Sequence, residues 1–263
     1  MPELPDVETF KRYFDATSLH QRVDNIDVRD AYILKGVSAH GLARRLKGRR
    51  FESTYRHGKH LFVRADHDLW LRLHFGMTGS LQYLKCQDHT PKYARVLFVF
   101  ANNNRLAFED QRKFGEIGLI EDVSEYLKKR ALGRDALDID LSQFRAIFRK
   151  HGGAVKTILL NQKLVAGIGN IYADEILFRT RVHPATQISS LSGKTVTKLF
   201  RATHYILKRA IEANADVALV PKSWLLPHRG KGGKCPGCGR KLRSATIGGR
   251  TAWFCAHCQR KSH

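Results

Sequence analysis

Two close pairs of cysteines constrain this chain more than any other feature. Cys235-Pro236-Gly237-Cys238 is followed by sixteen residues and then by Cys255-Ala256-His257-Cys258. Two CxxC pairs at this spacing can hold one tetrahedral Zn²⁺ through four thiolates. Four thiolates leave no open coordination position, so the metal is expected to be structural. Between the pairs lie Lys241-Leu242-Arg243, Thr246-Ile247, Gly248-Gly249 and Arg250-Thr251-Ala252-Trp253-Phe254. That pattern predicts a β-hairpin with a glycine turn, pinned at its open end by metal. Arg250 then points outward at the tip, where a guanidinium is a natural phosphate ligand.

The charge around this hairpin gives it meaning. In 263 residues, 46 Lys and Arg stand against 24 Asp and Glu, a formal net charge of +22. Such an excess supplies phosphate contacts, steers association and makes binding salt-sensitive. Charge and hairpin together point to nucleic acid, and a zinc ribbon that only stabilises the fold or contacts protein is the competing reading. The hydrophobic fraction of 43% is enough for proper cores, in one large domain or two modest ones. No stretch approaches the ~18 apolar residues of a membrane span, and the N-terminus lacks a signal-peptide core. A soluble, intracellular protein is expected. Its reduced thiols favour zinc over two disulfides. Cys86 is left over and reads as a packing residue, since nothing nearby looks like an activating base.

Along the chain, Pro2 and Pro5 precede Val7, Phe10, Tyr13 and Phe14, the spacing of a short amphipathic helix starting near Pro5. From about 21 to 121 the pattern is strand-like. Arg50 to Tyr55, His60 to Ala65, Leu69 to Phe75, Gly79 to Leu84, Arg95 to Phe100 and Arg105 to Phe108 are short β-type runs. Turn signals at His57-Gly58, Asp66-His67-Asp68, Gly76 and Asn102-Asn103-Asn104 separate them. A helix over Ala39 to Leu46 follows an N-capping Ser38. Beyond Asp122 the spacing turns helical over Ser142 to Lys150, Gly153 to Leu160, Ile171 to Thr180 and Gly193 to Ala213. Ala131 to Asp140 reads as a linker, and a Pro/Gly/Lys-rich stretch from Pro221 to Lys234 leads to the cysteines. The expected organisation is α+β: a β-rich domain over 1–130, a helical domain over 131–230 and a zinc segment over 231–263.

Two further stretches bear on chemistry. In Gly167-Ile168-Gly169-Asn170 two glycines precede a helix start, with Asn170 near the N-cap. Backbone N–H groups and the Asn170 amide there suit a phosphate, although a plain glycine link between packed helices fits the same residues. At the other end, Pro2 follows Met1. Removal of the initiator leaves a secondary amine. An α-amino group titrates at about 7.7–8.0, so an appreciable fraction is neutral at working pH. A neutral amine can attack an aldehyde-like sugar carbon and form a Schiff base. Glu3 beside it, with Asp6 and Glu8 close by, can move protons.

Six motifs in order then resemble one family. They are Pro2-Glu3-Leu4-Pro5-Asp6-Val7-Glu8, His57-Gly58-Lys59, His74-Phe75-Gly76-Met77-Thr78-Gly79, Asp110-Gln111-Arg112-Lys113-Phe114-Gly115, Gly167-Ile168-Gly169-Asn170-Ile171-Tyr172 and the four-cysteine hairpin. Across nearly the whole chain the sequence is similar to the bacterial formamidopyrimidine-DNA glycosylases (the Fpg/Nei, MutM-like family). The resemblance implies an N-terminal antiparallel β-sandwich, a helix–two-turn–helix domain and a zinc finger held by Cys235, Cys238, Cys255 and Cys258, with DNA in the cleft between two lobes. It implies a base-excision-repair glycosylase with abasic-site lyase activity. One structural Zn²⁺ is implied, with no redox or nucleotide cofactor. The implied partner is double-stranded DNA carrying damaged bases or abasic sites, met by a monomer in the bacterial cytoplasm at the nucleoid.

By the same resemblance, the Pro2 amine attacks C1′ of a flipped nucleotide, displaces the base and forms an imine, and β,δ-elimination nicks the strand. Glu3 matches the acid/base residue that opens the sugar ring. Lys59 matches an essential lysine near the lesion and its phosphates. Asn170 and Arg250 match phosphate ligands, and His74 falls among the DNA contacts. Met77, Arg112 and Phe114 match the side chains that fill the gap left by the flipped base; read without the resemblance, Met77 and Phe114 are core residues. Asp6 stands where the family more often has Glu, and Gln111 and Lys113 replace the usual Pro and Arg. Between Glu212 and Cys235 the chain is shorter than in relatives that grip 8-oxoguanine with a mobile loop. Weak 8-oxoguanine excision beside robust abasic-site cleavage is therefore expected. The alternative is a protein of the same fold that binds damaged DNA without chemistry, or with lyase activity alone.

Overall fold

Pro5 sits in the first turn of α1 (Leu4–Ser18), where a missing N–H removes no helical hydrogen bond. The computed structural model to which this helix belongs describes residues 1–66 and 68–260. His67, within the expected turn at Asp66-His67-Asp68, lies outside the described residues, as do the last three. The chain divides into two units, Met1–Pro2 with Asp6–Ala131, and Glu3–Pro5 with Leu132–His263.

The first unit contains β1 (Val23–Val28), α2 (Ala39–Leu46), β2 (Phe51–His57), β3 (His60–Ala65), β4 (Leu69–His74), β5 (Gly79–Leu84), β6 (Ala94–Phe100), β7 (Arg105–Asp110), β8 (Glu116–Ile120) and α3 (Val123–Lys129). Ser38 caps α2 by accepting from the Gly41 N–H at 3.0 Å. The strands form two four-stranded antiparallel sheets, ordered β1-β6-β7-β5 and β2-β3-β4-β8. Alternation selects the inner faces. Val96, Phe98 and Phe100 of β6 share one buried cluster with Leu61 and Val63 of β3 and Leu71 and Leu73 of β4. The sheets therefore close as the expected sandwich. Phe51 packs edge-on against Phe14, Phe98 and Phe100. Each such phenylalanine contributes about 1.5–3 kcal/mol by burial. The spacing does not single out β1 or β8. Val23-Asp24-Asn25-Ile26-Asp27-Val28 is too acidic and Glu116-Ile117-Gly118-Leu119-Ile120 carries a glycine, so pairing with β6 and β4 makes them strands. Cys86 is exposed, not packed as expected, because it lies in the turn region after β5.

The second unit contains β9 (Arg134–Asp135), α4 (Leu141–Lys150), α5 (Val155–Leu160), β10 (Val165–Ala166), α6 (Asn170–Thr180), α7 (Gly193–Glu212), β11 (Arg243–Ile247) and β12 (Arg250–Phe254). Asp140 and Gln143 form a reciprocal capping box at the start of α4. The stretch expected to be a linker is instead built in. β9 pairs in parallel with β10, and Ala136 and Ile139 are buried in the helical core. α6 is the central element, with Tyr172, Ala173, Asp174, Glu175, Ile176 and Leu177 all buried. After α7, Val220 and Trp224 enter the same core. The short segment before the zinc hairpin is thus anchored, with only Val217 and Leu219 as exposed large apolar residues. Among the described residues no helix is long and apolar enough to cross a membrane.

Candidate functional site

The residue after Pro2 is fixed by contacts far away in sequence. The Glu3 carboxylate accepts from the backbone N–H groups of Gly169 (2.9 Å), Ile171 (2.8 Å) and Tyr172 (3.2 Å), at the N-terminus of α6. These donors have no partner within the helix, and the positive end of the helix dipole favours an anion there. Glu3 is only 1% exposed. The sequence motif suggested a phosphate for these N–H groups, and the structure fills them with the chain's own carboxylate instead. The glycine at 169 follows from this arrangement, since a Cβ there would lie 2.2 Å from the Glu3 Cδ. Asn170 is the first helical residue rather than the cap, and its Nδ2 donates to the Thr251 carbonyl at 3.0 Å, beside Arg250.

A buried charge cluster joins α6 to the hairpin. Asp174 accepts from Lys156 Nζ at 2.6 Å, Arg229 Nε at 2.9 Å and the Trp253 N–H at 3.0 Å. Lys156 also donates to the Thr251 carbonyl at 3.2 Å. One aspartate thus ties α5, the approach to the hairpin and β12 together. Its charge is matched by two cations, the condition for burying it. Nearby, Glu175 accepts from the Leu226 N–H at 2.8 Å, and burial pushes its carboxyl up to about 7.

The four cysteine sulfurs lie within 4.8 Å of one another. Cys235 and Cys258 are 3.8 Å apart and Cys238 and Cys255 3.5 Å. A tetrahedral Zn–S₄ centre needs S···S edges of about 3.8 Å, whereas a disulfide needs about 2.05 Å. The donor set therefore fits one structural zinc. β11 and β12 form the expected antiparallel hairpin, with Gly248 and Gly249 at φ +55° and +73° and an exposed Arg250 at its tip. Both turn residues need positive φ, which glycine allows without strain. Chelating the metal is expected to unfold this hairpin and weaken duplex binding at least about tenfold, since the hairpin has almost no core of its own. Metal analysis at one zinc per chain and a titration before and after chelation check this; unchanged binding would show that Arg250 holds no DNA.

In the first unit, Lys59 occupies the tight turn between β2 and β3 and is half-buried. His74 ends β4, and its ring centroid is 4.8 Å from that of His60. Burial lowers the His74 pKa to about 4; Glu116 opposes the shift, while Arg72 and Lys59 add to it. Burial also holds His60 well below the ordinary imidazole value. His74 is thus neutral at pH 7, a hydrogen-bonding ring and not a cation. The unfolded ring binds a proton near 6.5 and the folded ring only near 4. This contribution to stability is therefore full above about pH 6.5 and lost as pH falls towards 4. An NMR titration of His74 is expected to show a midpoint near 4, and a midpoint near 6.5 would contradict the neutral-ring assignment.

Met77, Arg112 and Phe114 come from two adjoining turns. A Cβ at Gly76 would lie 2.3 Å from the Phe114 carbonyl carbon, so the β4–β5 turn seats directly on the β7–β8 turn. Asp110 is fully buried and accepts from the Gly115 N–H at 2.6 Å, the Arg112 N–H at 3.2 Å and the Thr78 hydroxyl. The Arg112 guanidinium lies 5.1 Å from the Phe114 ring centroid, and Phe114 is 53% exposed. An exposed phenylalanine on a loop held this firmly is not a core residue. Lys113 turns away to pair with Asp30 at 2.7 Å, and that bond lowers the Asp30 pKa.

Three family models tile the chain. Residues 1–117 match the formamidopyrimidine-DNA glycosylase N-terminal domain, 132–220 its H2TH domain, and 232–260 the zinc finger found in FPG and IleRS. The formamidopyrimidine-DNA glycosylase of Bacillus subtilis is 33% identical, over 99% of this chain and all of that protein.

The chain belongs to the formamidopyrimidine-DNA glycosylase family.

Another formamidopyrimidine-DNA glycosylase, from Solibacter usitatus, is 32% identical over 99% of this chain and all of that protein. Among solved structures, a Lactococcus lactis Fpg in complex with abasic-site DNA has a TM-score of 0.88 at 28% identity, over 99% of this chain and all of that one. An inhibited Lactococcus lactis Fpg with N7-benzyl-Fapy-dG DNA has a TM-score of 0.91 at 30% identity, with the same coverage. For this formamidopyrimidine-DNA glycosylase family member, the sequence motifs named the candidate site residues but not the buried Asp110 and Asp174 that support them. Asp110 had a signal, a carboxylate opening a loop motif. Asp174 had a weaker one, an acidic pair inside the otherwise apolar Ile171-Tyr172-Ala173-Asp174-Glu175-Ile176-Leu177.

Proposed function

We propose that this chain is a bifunctional base-excision-repair enzyme, a DNA glycosylase and abasic-site lyase acting on double-stranded DNA. The Glu3 socket carries the reading, because it fixes the residue next to a reactive N-terminal amine. Met1 is removed, and the Pro2 nitrogen attacks C1′ of the damaged nucleotide. The C1′–N bond to the base breaks and an imine forms. Loss of protons from the sugar then expels the 3′ and 5′ phosphates in turn, and water releases the amine. Glu3 serves as the acid/base group at the sugar, and Lys59 lies by the lesion and its phosphates. Asn170 and Arg250 hold phosphates, and His74 adds a neutral contact. Met77, Arg112 and Phe114 enter the stack where the nucleotide has left it, an apolar wedge beside a planar cation.

In this reading residues 1–130 form the catalytic domain, 131–230 the helix–two-turn–helix domain and 231–263 the zinc finger. The enzyme works as a monomer, in the cytoplasm at the nucleoid. Trapping with borohydride on a duplex with one abasic site, followed by mass mapping, tests the mechanism. An adduct on Pro2 supports it, and none from protein lacking Met1 overturns it. The anchored, short segment from Ala213 to Trp224 leaves little chain to close over a base. Excision of 8-oxoguanine opposite cytosine is therefore expected at least about tenfold slower than abasic-site cleavage. Equal single-turnover rates on the two duplexes would refute that lesion preference.

A further inference from the structure

The second unit carries another cation-rich surface that the proposed chemistry does not use. The C-terminal end of α6 and one face of α7 enclose a cavity of about 530 Å³, lined by Arg179, Arg181, Lys198, Arg201 and Tyr205. A second cavity of about 480 Å³ shares Arg181 and continues to Cys238, His257 and Arg260 at the metal end of the hairpin. No carboxylate lines either one. Among the described residues, the ion pairs of the structure engage none of Arg179, Arg181, Lys198, Arg201 and Arg260. Glu175, one turn earlier on α6, attracts Arg179 but lines neither cavity. Like charges gathered with no ion pair among them repel one another, and a polyanion relieves that repulsion.

Two details set this surface apart from ordinary solvated charge. Arg181 caps α6 in the left-handed region at φ +59°, a position that glycine occupies without strain. An arginine stands there and reaches both cavities. Tyr205 has the Arg179 guanidinium 3.9 Å from its ring centroid, yet the residue is 41% exposed. A ring backed by a cation and open to solvent is a platform on which a base can stack. The surface is also remote from the first phosphate contacts. The eleven residues of α6 span about 16 Å, so its Arg179–Arg181 end is opposite Asn170. Likewise, the cysteine end of the hairpin is opposite the Arg250 tip.

We propose that this surface binds a single-stranded nucleic-acid segment, its phosphates following the cations through both cavities and one base stacking on Tyr205. It goes beyond the glycosylase reading and does not depend on it. An acidic polypeptide could also neutralise the cations but has no base to place on the exposed ring.

Anisotropy of a labelled oligothymidylate of about twelve nucleotides tests this on the full zinc-loaded protein. Titrations run with and without a saturating short duplex carrying a stable abasic analogue. The expected result is a ternary complex, with the single strand bound within about threefold of its affinity for the free protein. Arg181→Gly combined with Arg201→Gln should weaken the single strand at least about tenfold and leave abasic-duplex cleavage within twofold. Tyr205→Leu should cost about fivefold or more. Arg181→Gly relieves the left-handed backbone, so loss of binding there is not loss of folding, and an unchanged thermal midpoint checks this. Complete displacement of the strand by the duplex, or unchanged binding in the double variant, overturns the proposal. So does binding of a labelled oligoglutamate in place of the oligothymidylate. Failure of the glycosylase reading would register separately, as wild-type protein that does not cleave.

Discussion

Protein that retains Met1 is expected to cut an abasic duplex at background rate and to form no borohydride adduct, while the same chain beginning at Pro2 does both. With Met1 attached, the Pro2 nitrogen is an amide whose lone pair is delocalised into the carbonyl, so it cannot attack C1′. Loss of the nucleophile should lower the single-turnover rate by about 10³-fold or more. Binding should change far less. The three hydrogen bonds to Glu3 come from Gly169, Ile171 and Tyr172, none of them from Met1. The two forms, separated by mass, can be compared for rate and for affinity towards a duplex with a stable abasic analogue. An adduct from the Met1 form, mapped to Lys59 or another lysine, would transfer the nucleophile's role to that residue.

The second large effect is expected at a residue with no functional group. Gly169→Ala places a Cβ 2.2 Å from Cδ and 2.4 Å from Oε1 of Glu3. Three hydrogen bonds hold that carboxylate, so it cannot step aside without leaving buried donors unmet. The loss is about 1–3 kcal/mol for each donor left unsatisfied. A drop in stability of several kcal/mol is expected, with cleavage at least about 10²-fold slower because Glu3 is displaced. Gly193→Ala is the matched control, since a Cβ there meets nothing within 4 Å. Urea denaturation and single-turnover cleavage measure both. Wild-type stability in Gly169→Ala would mean that the Glu3 socket is not what holds the N-terminal segment.

Local signals carried much of the fold. β3 and β5 have their expected bounds because alternating side chains end at clear turns, and α2 because Ser38 caps it. The zinc hairpin was legible because ligand spacing and a glycine turn agree. What failed depended on distant partners. β1 is a strand because β6 supplies its hydrogen bonds, and β9 interrupts an apparent linker because β10 lies alongside it. The same limit applied to the site. Pro2, Lys59 and Arg250 stand in recognisable motifs, but nothing near Glu3 in sequence shows that residues 169–172 receive it. Asp174 stands in no motif that the sequence singled out, and its bonds to Lys156, Arg229 and Trp253 show why it can be buried.

The Glu3 socket also sets a timetable. On the proposed mechanism the reactive amine lies beside Glu3, and the backbone that seats Glu3 is made some 166 residues after it. At about 5–20 residues per second, that interval is on the order of ten seconds or more. During synthesis the amine is tethered to a carboxylate with nowhere to dock. A nascent or truncated chain can carry the whole β-sandwich sequence and still lack a placed Glu3. On the proposed mechanism, Glu3 is therefore seated only after most of the chain has been made and folded.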